Sequence, residues 1–284
     1  MLELTRDGDG WRLGYGGDTL NTAIHLARAG LDVAYLTAIG CDPLSAGLKA
    51  EWAAERLDTS LILDHPTRST GLYAISTDSL GERSFAYWRD SSAAREMFML
   101  PGIDRSLAAA ESADLVSYSL ITLAILPPEG RERLFALCKR VRARGGKVAF
   151  DGNYRPRLWS SAQEARHARD AAIACADIGA PTLEDEAQLP GEPDAEGVAR
   201  HWHTLGCAET IVKLGAEGCR LPDGNTLPPP EIQQPVDTSG AGDAFNGGYL
   251  AARMNGASVK DAAMAGHRLA GWCVMRKGAI PARD

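Results

Sequence analysis

Residues 237–248 read DTSGAGDAFNGG, and the rest of the chain is organised around them. Gly240, Ala241 and Gly242 can bring bare backbone N–H groups close to an anion, because two of the three carry no side chain. A helix-forming run follows at once, and the partial positive charge at a helix N-terminus favours a phosphate there. Asp243 falls in the first turn of that helix, where a carboxylate can face whatever attacks the phosphate. Taken alone, the stretch is equally compatible with a glycine-rich helix start that merely ends a strand. Its spacing excludes two familiar nucleotide loops. No lysine and Ser/Thr follow the glycines as a Walker A loop requires, and Phe245 occupies the third glycine position of GxGxxG.

Upstream of the loop, residues 210–214 read as a strand entering GAEG at 215–218, so Lys213, Gly215 and Gly218 either meet a nucleotide or build a hairpin. DGNYRPRLW places Asp151, Asn153 and Arg155 just past a strand at 147–150, the edge at which open parallel sheets bind ligands. Pro156 restricts the backbone of Arg155. Near the start, Gly16, Gly17 and Asp18 precede an apolar-periodic helix over 19–29, with Asn21 near its mouth. These residues suit recognition of hydroxyl groups, and Asp18 equally suits simple capping. Three β-like runs at 61–63, 70–77 and 83–88 predict a small antiparallel sheet able to close as a lid and exclude water. Tyr87, Trp88, Arg89 and Arg95 crowd its end, where arginine can clamp a carboxylate bidentately and aromatic packing of an exposed strand is the competing reading. In PTLEDE, Glu184, Asp185 and Glu186 either reach a metal-bound phosphate through water or cap a helix, and Glu184 is assigned to capping. His201 and His203 have no third ligand placed by motif, so no metal site is expected there.

Strand and helix alternate over 33–56 and again from residue 114, without an internal repeat, which predicts a single α/β domain over 1–284 with lid strands drawn from about 1–15 and 60–90. A formal charge of −7 argues against nonspecific nucleic-acid binding, while local arginines remain free to hold a small anion. Six cysteines without CxxC spacing read as free thiols in a reducing cytoplasm. No apolar run approaches the roughly 18 residues of a membrane span, so no membrane partner is expected and the expected location is cytoplasmic.

DTSGAGDAFNGG resembles the second signature of the PfkB, or ribokinase-like, carbohydrate kinases. GYGGDTLNTAIHLARAG resembles that family's first glycine-rich region, and VKLGAEG and the terminal KGAIP fall in the expected order. GGDTLN, GERSFAYWRDSSAAR, DGNYRPRLW and PTLEDE are similar to its 2-dehydro-3-deoxygluconokinase branch. The resemblance implies a three-layer α/β/α core with a small β-sheet lid. It implies Asp243 as catalytic base, an anion hole of Gly240, Ala241 and Gly242, and sugar contacts at Gly16, Gly17, Asp18, Asn21, Tyr73, Tyr87, Arg89 and Arg155. The nucleotide would meet Lys213, Gly215, Gly218, Gly240 and Gly242. ATP with Mg²⁺ is the implied donor, a monovalent cation is left open, and only Glu186 carries over from the family's NxxE motif, through water. The implied reaction is phosphorylation of a small acid sugar, 2-dehydro-3-deoxy-D-gluconate. A fructokinase-like activity or an inactive sugar-binding homologue are the alternatives. The family's lid implies a homo-oligomer. Relatives carry a buried strand before the position of Met1, so a gap in the main sheet is also expected.

Overall fold

The computed structural model describes all residues except 9, 78–82, 192–193 and 283–284. The tip of the DGDG turn and the first two residues of GERSFAYW lie outside the described residues. The chain opens with β1 (Leu2–Asp7), β2 (Gly10–Tyr15) and α1 (Asp18–Arg28). β3 (Val33–Ala34), β4 (Thr37–Gly40), α2 (Pro43–Ala54), β5 (Leu57–Asp58) and β6 (Ile62–His65) follow, with parallel pairs β3–β5 and β4–β6. β7 (Leu72–Thr77) and β8 (Arg83–Trp88) pair antiparallel. Then come α3 (Ile103–Ala110), β9 (Leu115–Ser119), α4 (Leu120–Ile125), α5 (Pro128–Ala143), β10 (Lys147–Asp151), α6 (Ala162–Ile173), β11 (Ile178–Gly179), α7 (Leu183–Glu186), α8 (Ala195–Thr204) and β12 (Glu209–Thr210). Strands β9 to β12 form one parallel sheet in the order β12-β11-β10-β9. An antiparallel group of β13 (Val212–Lys213), β14 (Cys219–Arg220) and β15 (Thr226–Leu227) precedes α9 (Ala241–Met254) and α10 (Val259–Val274).

The layers follow from side-chain alternation. Along β10, Val148 and Phe150 enter a core with α5, α6 and α8, whereas Ala149 enters one with α9 and α10. A strand buried on both faces divides its residues in this way between two helical layers. Small residues let α9 and α10 approach: a Cβ at Gly266 would stand 2.9 Å from Phe245. Helix starts are set by local caps, such as Asp42 accepting from the Ser45 N–H at 3.0 Å with Pro43 behind it.

The lid is the four-stranded sheet β2-β1-β7-β8. Residues 61–63, expected in the lid, belong instead to the body, where β6 runs parallel to β4 from Ile62 to His65. Their composition suits either sheet, and β4's need for a parallel partner decides. The alternation expected over 33–56 opens with two short strands, β3 and β4. β1, at the start of the chain, lies in the lid and not in the core sheet. Between β4 and β9 lies a cavity of about 670 Å³, walled by Leu36, Ala38, Val116 and Tyr118 and by Leu26 of α1. Among the described strands, β4 pairs with β6 and β9 with β10, so the edges facing the cavity carry no strand partner. Gly17, Asp18, Thr22 and Arg89 line the cavity and belong also to the site described next.

Candidate active site

Gly240 stands at the N-cap of α9 in the left-handed region, at φ 67°. A side chain there would be strained, and its Cβ would lie 2.6 Å from that of Ala279. Asp237 ties the same turn to the C-terminal segment: one carboxylate oxygen accepts from the Ser239 N–H at 2.7 Å and the other from the Gly278 N–H at 2.8 Å. KGAIP is therefore the outer wall of the loop. The Ala241 N–H donates to Thr238 O at 3.3 Å and the Ala244 N–H opens the helical ladder on Gly240 O, so Gly242 and Asp243 are the first-turn N–H groups best placed for an anion.

Asp243 is buried in the first turn of α9, where α1 packs against it. Asn21 Nδ2 donates to its Oδ2 at 2.8 Å, and the Thr22 hydroxyl donates to its backbone carbonyl at 3.3 Å. Burial, then the nearby Asp18 carboxylate, pushes the Asp243 carboxyl up to about 7, against the opposing pull of the Asn21 hydrogen bond. A base whose affinity for protons lies near neutrality suits abstraction from a hydroxyl in the transition state. Asn21 Oδ1 is buried and has no hydrogen-bond partner among the described residues.

Asp18 begins α1. Its Oδ2 accepts from the Ser119 hydroxyl at the end of β9 and from Asn153 Nδ2 at 3.4 Å, just past β10. Burial raises its pKa. On the lid side, the Tyr73 hydroxyl donates to Glu3 of β1, and Gly16 leaves room for that ring. Tyr73 and Tyr87 rings lie 6.1 Å apart, and the Arg89 guanidinium covers Tyr87 at 4.1 Å. Arg155 donates from Nη1 to both oxygens of Asp185, at 3.0 and 3.3 Å, and is about half exposed. Burial raises the Asp185 pKa even with Arg155 alongside.

Lys213 Nζ donates to Asp151 Oδ1 at 3.1 Å and to Asn246 Oδ1 at 3.3 Å. Gly215 and Gly218 are both left-handed, at φ 63° and 104°, and build the β13–β14 turn, closed by the Leu214 N–H donating to Gly218 O at 2.8 Å.

Glu186 does not face the cleft. Its Oε2 accepts from Arg169 at 2.5 Å and its Oε1 from the Trp202 indole at 3.2 Å, in a buried pocket. It does not fit the expected metal contact through water. Asp185, one residue earlier, is the member of that acidic run at the cleft. Among the described residues, no group of three or more His, Cys, Asp or Glu is arranged to hold a metal ion. Glu3, Ser119 and Asn246 are site neighbours missed from the sequence. Their signal is convergence in space, since each joins a partner far away in the chain.

A glycine-rich helix start with a buried carboxylate in the turn behind it, opposed by polar strand ends and a β lid, suits phosphoryl transfer to a sugar. Residues 3–284 match the pfkB family carbohydrate kinases, and the chain belongs to that family. A 2-dehydro-3-deoxygluconokinase of Dickeya dadantii (strain 3937) is 42% identical over 290 residues, spanning 99% of this chain and 94% of that protein. One from Escherichia coli (strain K12) is 42% identical over 296 residues, spanning 100% and 95%. The crystal structure of a PfkB protein from Polaromonas sp. JS666 superposes with a TM-score of 0.86 at 29% identity, covering 97% of this chain and 93% of that one.

Proposed function

We propose that the chain transfers the γ-phosphoryl group of ATP to the 6-hydroxyl of 2-dehydro-3-deoxy-D-gluconate. The observation that carries this reading is Asp243, buried beside the glycine loop with a proton affinity near neutrality. The two curated relatives act on the acid sugar by name, and Arg89 and Arg155 supply cations at the lid and at the strand edge to meet its carboxylate. Asp18, Asn21 and Asn153 orient its hydroxyls. Asp243 takes the 6-hydroxyl proton, and the first turn of α9 stabilises charge on the transferring group. A divalent ion such as Mg²⁺ would neutralise phosphate charge when it arrives with ATP, bridged chiefly by phosphates and water.

A substrate panel with ATP tests the assignment. Turnover of the keto acid should exceed that of fructose and ribose by at least tenfold, and preference for a neutral sugar would defeat it. Replacing Arg89 or Arg155 by methionine should raise the acid-sugar KM roughly 10–100-fold, the scale of a lost charged hydrogen bond, with a smaller effect on kcat. Unchanged KM in both variants would remove the clamp.

The lid supports a homo-oligomer. By strand register, Trp11, Leu13 and Trp88 share the face opposite Tyr73 and Tyr87, and they are 48%, 48% and 59% exposed. An apolar outer face of this kind suits a second copy of the chain. Leu13→Glu should lower the mass measured by sedimentation to that of the monomer. A wild-type protein that sediments as a monomer at micromolar concentration ends this proposal.

A further inference from the structure

Lys213, Asp151 and Asn246 close a ring whose purpose the reaction above leaves unassigned. Lys213 ends β13, Asp151 ends β10, and Asn246 lies on α9 one turn after Asp243. Lys213 Nζ donates to Asp151 Oδ1 and to Asn246 Oδ1, and Asn246 Nδ2 donates to Asp151 Oδ2 at 2.9 Å. Each polar atom has one compatible role: the amide oxygen faces the ammonium and the amide nitrogen faces the carboxylate. Lys213 and Asn246 are buried, at 7% and 5% exposure.

The ring sits against the anion loop. Lys213 Nζ is 3.5 Å from where a side chain on Gly242 would begin. An ammonium has three N–H donors, and the ring engages two of them. A buried ion pair is also a poor way to staple three elements for stability alone, since desolvation offsets most of its attraction.

We infer that Lys213 is the cation that contacts the transferring phosphoryl group, and that Asp151 and Asn246 are the positioning residues that hold its ammonium beside the loop. This deepens the kinase reading and rests on it. In the step, the 6-hydroxyl oxygen bonds to the γ-phosphorus as the bond from that phosphorus to the β,γ-bridging oxygen breaks. The hydroxyl proton passes to Asp243, and the electron pair of the broken bond leaves on ADP. Lys213 exchanges no proton; it offsets charge on the oxygens of the group in flight.

Binding and kinetics separate this role from a structural one. With Mg²⁺ present, Lys213→Met should lose tenfold or more in affinity for the nonhydrolysable ATP analogue AMP-PNP by calorimetry while ADP affinity stays within threefold, because only the γ-phosphoryl contact is removed. Its kcat should fall about 10²–10³-fold, as for other lost transition-state donors, and Lys213→Arg should recover at least tenfold of that. Removing a positive neighbour or a negative one moves the Asp243 titration in opposite directions, so the acid limb of the pH profile should rise in Lys213→Met and fall in Asp151→Asn. Equal loss of AMP-PNP and ADP, or a Lys213→Met kcat within threefold of wild type, overturns the inference. The nucleotide comparison needs no sugar, so a selective AMP-PNP loss in a protein that phosphorylates no acid sugar would sink the substrate assignment and keep Lys213. A wild-type chain that binds neither nucleotide overturns both.

Discussion

Asp243→Asn is expected to lower kcat by 10²-fold or more while the fold and most sugar affinity remain. The amide keeps the shape of the carboxyl and can still accept from Asn21 Nδ2, so the α1–α9 contact survives. What disappears is the proposed acceptor of the 6-hydroxyl proton, and general-base catalysis contributes about 10²–10⁴-fold in rate. The wild-type pH dependence supplies an independent check. With the Asp243 carboxyl pushed up to about 7, kcat/KM should rise with pH through that value on the acid limb, and the residual activity of the asparagine variant should lack this limb. Stability moves the other way. Between about pH 4 and 7 the folded chain holds a proton on Asp243 that the unfolded chain has released, so this group's contribution to stability falls as pH rises across that window. The asparagine variant should therefore be relatively more stable than wild type at pH 7.5 than at pH 4.5. Turnover within threefold of wild type would exclude Asp243 as the base.

Arg169→Met is expected to cost about 3–5 kcal/mol of stability, the range for breaking a buried ion pair by removing one partner. Arg169 is 2% exposed and reaches Glu186 at 2.5 Å, Asp170 at 2.9 and 3.0 Å, and His201 at 3.2 Å. Without it, Glu186 keeps one indole donor for a buried carboxylate whose pKa burial already raises. The damage reaches the site through packing, because Glu186 Oε1 and the Trp202 ring would each lie 3.2 Å from a side chain placed on Gly152, next to Asp151. Urea unfolding should show a lower midpoint with little change in slope. Arg169→Met combined with Glu186→Leu should recover much of the loss, since an apolar pair of similar volume avoids the stranded charge. A single-variant loss below about 1 kcal/mol would show that the pair is replaceable by water.

The loop, Asp243 and the mouth of α1 were legible because they are written as local spacing: glycines set a backbone shape, and the next helical turn points a carboxylate. The partners were not. Asn21 and Asp243 are 222 positions apart, and Ser119 and Asp18 are 101 apart, so no window of sequence contains either contact. LEDE shows the same limit within four residues. Composition marks an acidic turn, but the fold decides that Asp185 meets Arg155 while Glu186 turns inward to Trp202. The run at 61–63 was misassigned to the lid for a related reason: short β-like segments name their sheet only through their neighbours.

The cavity between β4 and β9 gives α1 a second occupation. This helix packs on β3 on one side of the opening and on β9 on the other, so it spans the break in the sheet. The same helix carries Asp18 and Asn21 at its first turn. The proposed sugar contacts and the packing that joins β3 to β9 therefore draw on one element. Substrate bound at Asp18 and Asn21 should raise the thermal unfolding midpoint of the whole molecule.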